Sequence, residues 1–240
     1  MRKVTHPPFN PGPSRERRSI GEFVSSQTRG VAIQTVRKRL PVDKFPNKHT
    51  HVRNIMLTTL DPLTALIVID LQKGVVTLPT VHPAQEVVRN ASALADAFRR
   101  AGLPVVLVNV TAGAPGRTEQ PPGGQRPAGW TDLVPELNRQ PQDHTVSKQT
   151  WGAFTRTDLE QHLRKLSVTQ VVIIGISTSI GVESTARQAY EFGFNVTLAI
   201  DAMTDLRAEA HANSVARIFP RLGETGTTAE IIALVERTRA

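Results

Sequence analysis

The chain has 240 residues, 39% of them hydrophobic and 21% charged, and contains no cysteine. One core of ordinary size fits that length, while thiol nucleophiles, disulfides and zinc or iron–sulfur centres built on cysteine are excluded, since each needs a sulfur atom. No apolar run approaches the ~20 residues that cross a bilayer, and no secretory signal stands at the start, so a cytoplasmic protein without a membrane partner is expected.

The net charge of +8 is unevenly placed. Residues 1–55 hold 12 Lys and Arg against 3 Asp and Glu, whereas the remainder is close to neutral. That segment carries Pro7, Pro8, Pro11, Pro13, Pro41 and Pro46, the basic clusters 15–18 and 37–39, and little apolar periodicity. It buries too little to offset its ordering entropy, so residues 1–56 are expected to be a disordered basic extension. Four prolines within the first 13 residues oppose the amphipathic helix of a transit peptide. Nucleic acid is expected as a partner only through this tail, which has few interleaved aromatics for stacking. Met56 is an alternative start, and the folded domain is expected over 57–240.

From Thr64 onward short apolar runs alternate with helical periodicity. Ala65–Ile69 is a continuous apolar run ending at Asp70, as a strand buried on both faces reads. Between Pro83 and Gly102, residues Val87, Val88, Ala91, Leu94, Ala95 and Phe98 share one helical face. A second strand is expected over Pro104–Val108, then a long Gly- and Pro-rich loop over Thr111–Trp130. His144–Ser147 reads as a short strand running into Lys148, and Thr157-x-x-Glu160 as a capping box for a helix through Leu166. Val171–Ile174 is a strand, Val182–Phe192 a helix, Val196–Ile200 a strand ending at Asp201, and 211–218 and 227–236 are helices. This alternation predicts a parallel sheet covered on both faces, with ligands bound beyond the carboxyl ends of its strands.

Three features lie at such ends. Asp70 emerges from a dry strand, where burial and a nearby ammonium can tune a carboxyl for proton transfer, although an Asp that merely caps a turn reads the same way. Lys148 precedes an aromatic loop containing Trp151 and Phe154, and a solvated lysine is the alternative. The turn Gly175–Gly181 joins a strand to a helix and offers N–H groups to an oxyanion, or is simply a tight turn needing glycine. The histidines at 82, 144, 162 and 211 show no metal-ligating spacing, and His49-Thr50-His51 lies in the tail without a third ligand. No dinucleotide, Walker or Gly-x-Ser-x-Gly pattern is present, so no cofactor or metal is expected.

In order, Ala65-Leu-Ile-Val-Ile-Asp-Leu-Gln72, Ser147-Lys-Gln-Thr-Trp-Gly-Ala-Phe154, Gly175-Ile-Ser-Thr-Ser-Ile-Gly-Val-Glu-Ser-Thr-Ala-Arg187 and Asp201-Ala-Met-Thr-Asp205 resemble the isochorismatase-like hydrolases, also called cysteine hydrolases. The resemblance spans roughly residues 60–235. It implies a three-layer α/β/α fold with a six-stranded parallel sheet, a homo-oligomer, a cis peptide at Ile176–Ser177, and a catalytic set in which Asp70 is the aspartate and Lys148 the lysine. The position of the family's nucleophilic cysteine is Gly181, so thioester chemistry on amides is expected to be absent. Nicotinamidase-type members carry an Asp-x-His metal site after the second strand, and residues 109–118 contain no histidine.

True isochorismatases also have glycine there, because a vinyl ether needs a proton donor and no covalent nucleophile. The implied function is hydrolysis of a small anionic molecule by Asp70 and Lys148. Gln72, Trp151, Phe154, Ser177 and Thr178 are expected to bind substrate, the N–H groups of Ser177 and Gly181 to hold an oxygen, and Arg117 or Arg126 to meet a carboxylate. Isochorismatases carry Tyr-Ala-His where this chain has Ser177-Thr178-Ser179, which points to a different glycine-bearing branch. The alternative is a catalytically silent member serving as a binding or scaffold protein.

Overall fold

The computed structural model describes residues 57–119 and 126–239, so expectations for the basic extension, His49 and His51 lie outside the described residues. Six strands form one fully parallel sheet in the order β3-β2-β1-β4-β5-β6, with β1 over Thr64–Ile69, β2 over Val105–Val110, β3 over His144–Lys148, β4 over Gln170–Ile176, β5 over Asn195–Thr204 and β6 over Glu224–Gly226. Parallel neighbours need crossovers, and the chain supplies helices for them. These are α1 (Lys73–Val76), α2 (Ala84–Arg100), α3 (Leu159–Lys165), α4 (Glu183–Glu191), α5 (Ala208–Asn213) and α6 (Thr228–Arg239).

Alternation along the strands divides the core into two layers. Leu66 and Val68 of β1 join Leu107, Val172 and Ile174 under Val87, Ala91, Leu94 and Phe98 of α2 and Ile231 and Val235 of α6. Ala65, Ile67 and Ile69 face the other way, with Val106, Val108, Val171 and Ile173, under Leu159 and Leu163 of α3 and Ala186 and Ala189 of α4. Both faces of β1 are sealed, which is why Ala65–Ile69 is apolar without interruption.

Four details differ from the sequence expectation. The strand expected to stop at Asp201 continues to Thr204, because its register against β4 shifts: Ile173 faces Leu198, but Gly175 faces Met203. A bulge breaks the period-two pattern that marks a strand. The short β6 and the single-turn α1 carry no periodicity to read. The capping box at Thr157 does not form, because its hydroxyl donates to the Ala153 carbonyl at 2.6 Å and Glu160 pairs with Arg164. A reciprocal box does form at α6, where the Thr227 N–H donates to Glu230 Oε2 and the Glu230 N–H to Thr227 Oγ1.

The start of β3 is tied to α2 by a buried ion pair. Arg99 donates through Nη2 to Asp143 Oδ2 at 2.7 Å and through Nε to Oδ1 at 3.2 Å, and also to the Leu137 carbonyl. Both side chains are nearly sealed from solvent. Arg99→Ala leaves the carboxylate buried and unpaired, so we expect a loss of about 3–5 kcal/mol in urea unfolding, with Arg99→Met costing less than Arg99→Ala because it refills part of the volume.

Candidate active site

Strand order sets the location. From β1 the chain builds outward through β2 and β3, then returns to add β4 on the opposite side, so the crevice beyond the carboxyl ends of β1 and β4 is a topological switch point. Asp70 follows β1, Lys148 closes β3, and a π-helical turn over Thr178–Val182 follows β4. Gly175 permits the close approach: at its φ of +123° a Cβ would lie 2.0 Å from the Ile69 carbonyl oxygen. The Ile176–Ser177 peptide is cis.

Asp70 has a left-handed backbone, φ 54°, which Asp tolerates better than most residues. Its N–H is held by the Val108 carbonyl at 2.9 Å, and its carboxylate accepts from Lys148 Nζ at 2.7 Å. Lys148, 2% exposed, also donates to the Thr150 carbonyl at 3.2 Å. Asp70 Oδ1 is buried, and among the described residues it has no hydrogen-bond partner. Burial pushes the Asp70 carboxyl up to about 6, against the opposing attraction and hydrogen bond of Lys148. Ionised, it pairs with the ammonium; protonated, it has an acidic proton in a dry setting. A Cβ placed on Gly181 would sit 3.3 Å from Asp70 Oδ2 and 2.9 Å from Ile69 Cγ2, so the glycine faces the carboxylate.

The remaining candidates divide. Ser177 and Thr178 open the turn beside Gly181, with Thr178 fully buried. Trp151 is 65% exposed on the loop after Lys148. Two side chains expected on a pocket wall lie inside the protein instead. Gln72 is 0% exposed, its Oε1 accepting from the Val110 N–H at 2.7 Å and its Nε2 donating to the Val110 and Trp130 carbonyls, so its amide is committed to clamping two loops. Phe154 is a core residue packed on Phe192 and Phe194. Arg117 is exposed on the long loop, and Arg126 stacks 4.2 Å above the Trp130 ring.

The N–H groups expected to hold an oxygen are those of Ser177 and Gly181, and amides beside them are already engaged. The Ser179 N–H donates to Asp205 Oδ2 at 2.7 Å, and those of Ile180 and Val182 to the Ser177 carbonyl. Asp205, 2% exposed, is a part of this site to which the sequence analysis gave no role; it also accepts from the Leu206 and Arg207 amides. The other omission is Thr185, which donates to the Gly181 carbonyl and accepts from the Ala153 N–H, joining the turn to the loop after Lys148. Both lie in stretches quoted for the resemblance, the only sequence signal that marked them. Among the described residues no group of three or more His, Cys, Asp or Glu converges to hold a metal, and no helix is long and apolar enough to cross a membrane.

The isochorismatase domain model matches residues 64–230. The chain is 41% identical over 181 residues to the isochorismatase family protein YwoC of Bacillus subtilis, covering 72% of this chain and 94% of that one. It is 43% identical over 179 residues to the isochorismatase family protein YecD of Escherichia coli, covering 70% and 94%. A solved isochorismatase family protein from Burkholderia thailandensis superposes with a TM-score of 0.72 at 41% identity, covering 74% of this chain and 98% of that one. With its parallel six-stranded sheet and its matched length, the chain belongs to the isochorismatase family of hydrolases.

Proposed function

We propose that the protein hydrolyses the vinyl ether of a small anionic molecule by acid–base catalysis, without a covalent enzyme intermediate. The observation that carries this reading is a buried carboxyl, poised near pH 6, facing a residue with no side chain to attack anything. Lys148 holds Oδ2, so the transferable proton resides on the unpartnered Oδ1. Asp70 gives that proton to the terminal alkene carbon, and the ether oxygen's lone pair forms an oxocarbenium ion. Water adds to the cationic carbon and returns a proton to Asp70, and the hemiketal collapses to an alcohol and a ketone. Lys148 stabilises the carboxylate left after the first transfer. Arg126, held over Trp130, is the cation offered to a substrate carboxylate.

The test is a panel of enol ethers, isochorismate among them, incubated with the full chain in D2O. The proposal expects turnover with one deuterium placed on the carbon that becomes the methyl group. Hydrolysis without deuterium at that carbon, or a covalent adduct detected by mass spectrometry, rejects the proton-transfer route. A protein inert on the whole panel favours the silent-scaffold alternative, for which the missing nucleophile at position 181 is the supporting observation.

A further inference from the structure

We propose that His211 is a positioning residue for the turn facing Asp70: it holds Thr178 in place, and protonating its ring changes the geometry of the turn. This rests on the reading of that turn as part of the reaction site. Thr178, fully buried, is the first residue of the π-helical turn that contains Gly181. Its Oγ1 lies 2.9 Å from His211 Nδ1. Among the described residues no other group hydrogen-bonds the Thr178 hydroxyl, so the imidazole is what orients it.

The same segment anchors the turn elsewhere. Ser214, one residue after α5, donates to Glu183 Oε2 at 2.6 Å, and Asp205, before α5, receives the Ser179 N–H. His211 is the one of these three anchors with an imidazole, the side chain whose charge ordinarily changes between about pH 5 and 8.

A neutral ring with its proton on Nε2 accepts the Thr178 hydroxyl proton at Nδ1. A protonated ring can only donate there, so the hydroxyl must turn its own proton elsewhere inside a sealed pocket, and the turn moves with it. The groups facing the ring are known. His82 stands edge-on, ring centroids 4.8 Å apart, and its charge disfavours a second positive charge; the Asp205 carboxylate favours one. Glu86 and Asp201 share with both histidines the lining of a cavity of about 380 Å³, a site from which water can reach the imidazole. Burial and His82 outweigh Asp205, so the ring stays neutral until the pH falls below the ordinary histidine range.

The test uses the full 15N-labelled chain carrying Asp70→Asn, which removes the other group that titrates beside Gly181. The amide shifts of Ser179 and Gly181 are followed from pH 4.5 to 8. We expect a shared titration with a midpoint below 6.5, moved upward by His82→Gln. His211→Asn, which keeps a polar group near the Nδ1 position without titrating, should abolish the titration and hold the amides at their neutral-form shifts. His211→Ala should displace them at every pH. Amides that do not titrate, or a titration that survives His211→Asn, overturn the proposal; if His211→Ala fails to fold, the parent titration and the Asn variant still decide. No substrate is used, so the outcome is independent of whether Asp70 is the acid.

Discussion

Asp70→Asn is expected to lower kcat by about 10²–10⁴-fold on any vinyl ether the protein hydrolyses, the usual contribution of one positioned general acid. The amide keeps the shape and can still accept from Lys148, so the loss should appear in kcat with KM little changed. The parent's pH profile carries the sign. The acid form is the active one, so kcat/KM should be level below about pH 6 and fall as the pH rises through it. Lys148→Met removes the opposing positive charge, which should carry that limb upward in pH while lowering kcat. A limb that falls on the acid side instead would mean that Asp70 works as a base.

The same carboxyl makes a stability prediction of unusual direction. Its folded value of about 6 lies above the ordinary 3.8, so between those pH values the folded chain binds more protons than the unfolded one. Stability contributed by this group is therefore full below pH 3.8 and declines as pH rises to about 6, by roughly 3 kcal/mol in all. Asp70→Asn should flatten that part of the profile, measured by urea unfolding at pH 4.5 and 7. Asp70→Ala should cost more than Lys148→Met. A lone Asp70 escapes its burial by holding a proton, whereas a lone Lys148 beside an apolar methyl has to give one up or draw in water.

How far this site could be read in the sequence depended on which contacts are local. Ala65–Ile69 announces a strand sealed on both sides, and Asp70 at its end is conspicuous because a charge terminates a run that excludes water. Lys148 and Gly181 are conspicuous only through the ordered motifs of the family, since nothing about a lysine 78 positions away indicates that it will lie 2.7 Å from the carboxylate. Side-chain direction was harder. Gln72 and Phe154 belong to the right motifs but point into loop clamps and core, because motif membership records that a residue is needed without saying for what. His82 and His211 have no sequence spacing to betray them; they meet because the segment after α1 and α5 converge on the end of β5, where the bulge also hid the strand's true length.

Gly181→Cys should produce the largest gain of function available in this chain. The new Cβ would lie 3.3 Å from Asp70 Oδ2, placing a thiol beside a carboxylate that can take its proton and within the field of Lys148. That is the arrangement a covalent route needs: an acidic sulfur, a base and an ammonium in one dry crevice. The obstacle is Ile69, whose Cγ2 would be only 2.9 Å from that Cβ, so Ile69→Ala, which removes Cγ2, should be combined with it. We expect the double variant to hydrolyse small amides at least ~10²-fold above the parent, a modest share of what covalent catalysis supplies. The natural chain has no cysteine, so iodoacetamide should label a single site and remove the new activity. The two readings of the natural protein then separate cleanly. An acid–base hydrolase turns over vinyl ethers before the substitution and acquires amide hydrolysis after it; a silent scaffold gains the second without ever showing the first. A thiol that is alkylated yet cleaves no amide would mean that the crevice lacks the donors to hold a tetrahedral oxyanion, in keeping with the Ser179 amide bound to Asp205 and those of Ile180 and Val182 bound to the Ser177 carbonyl.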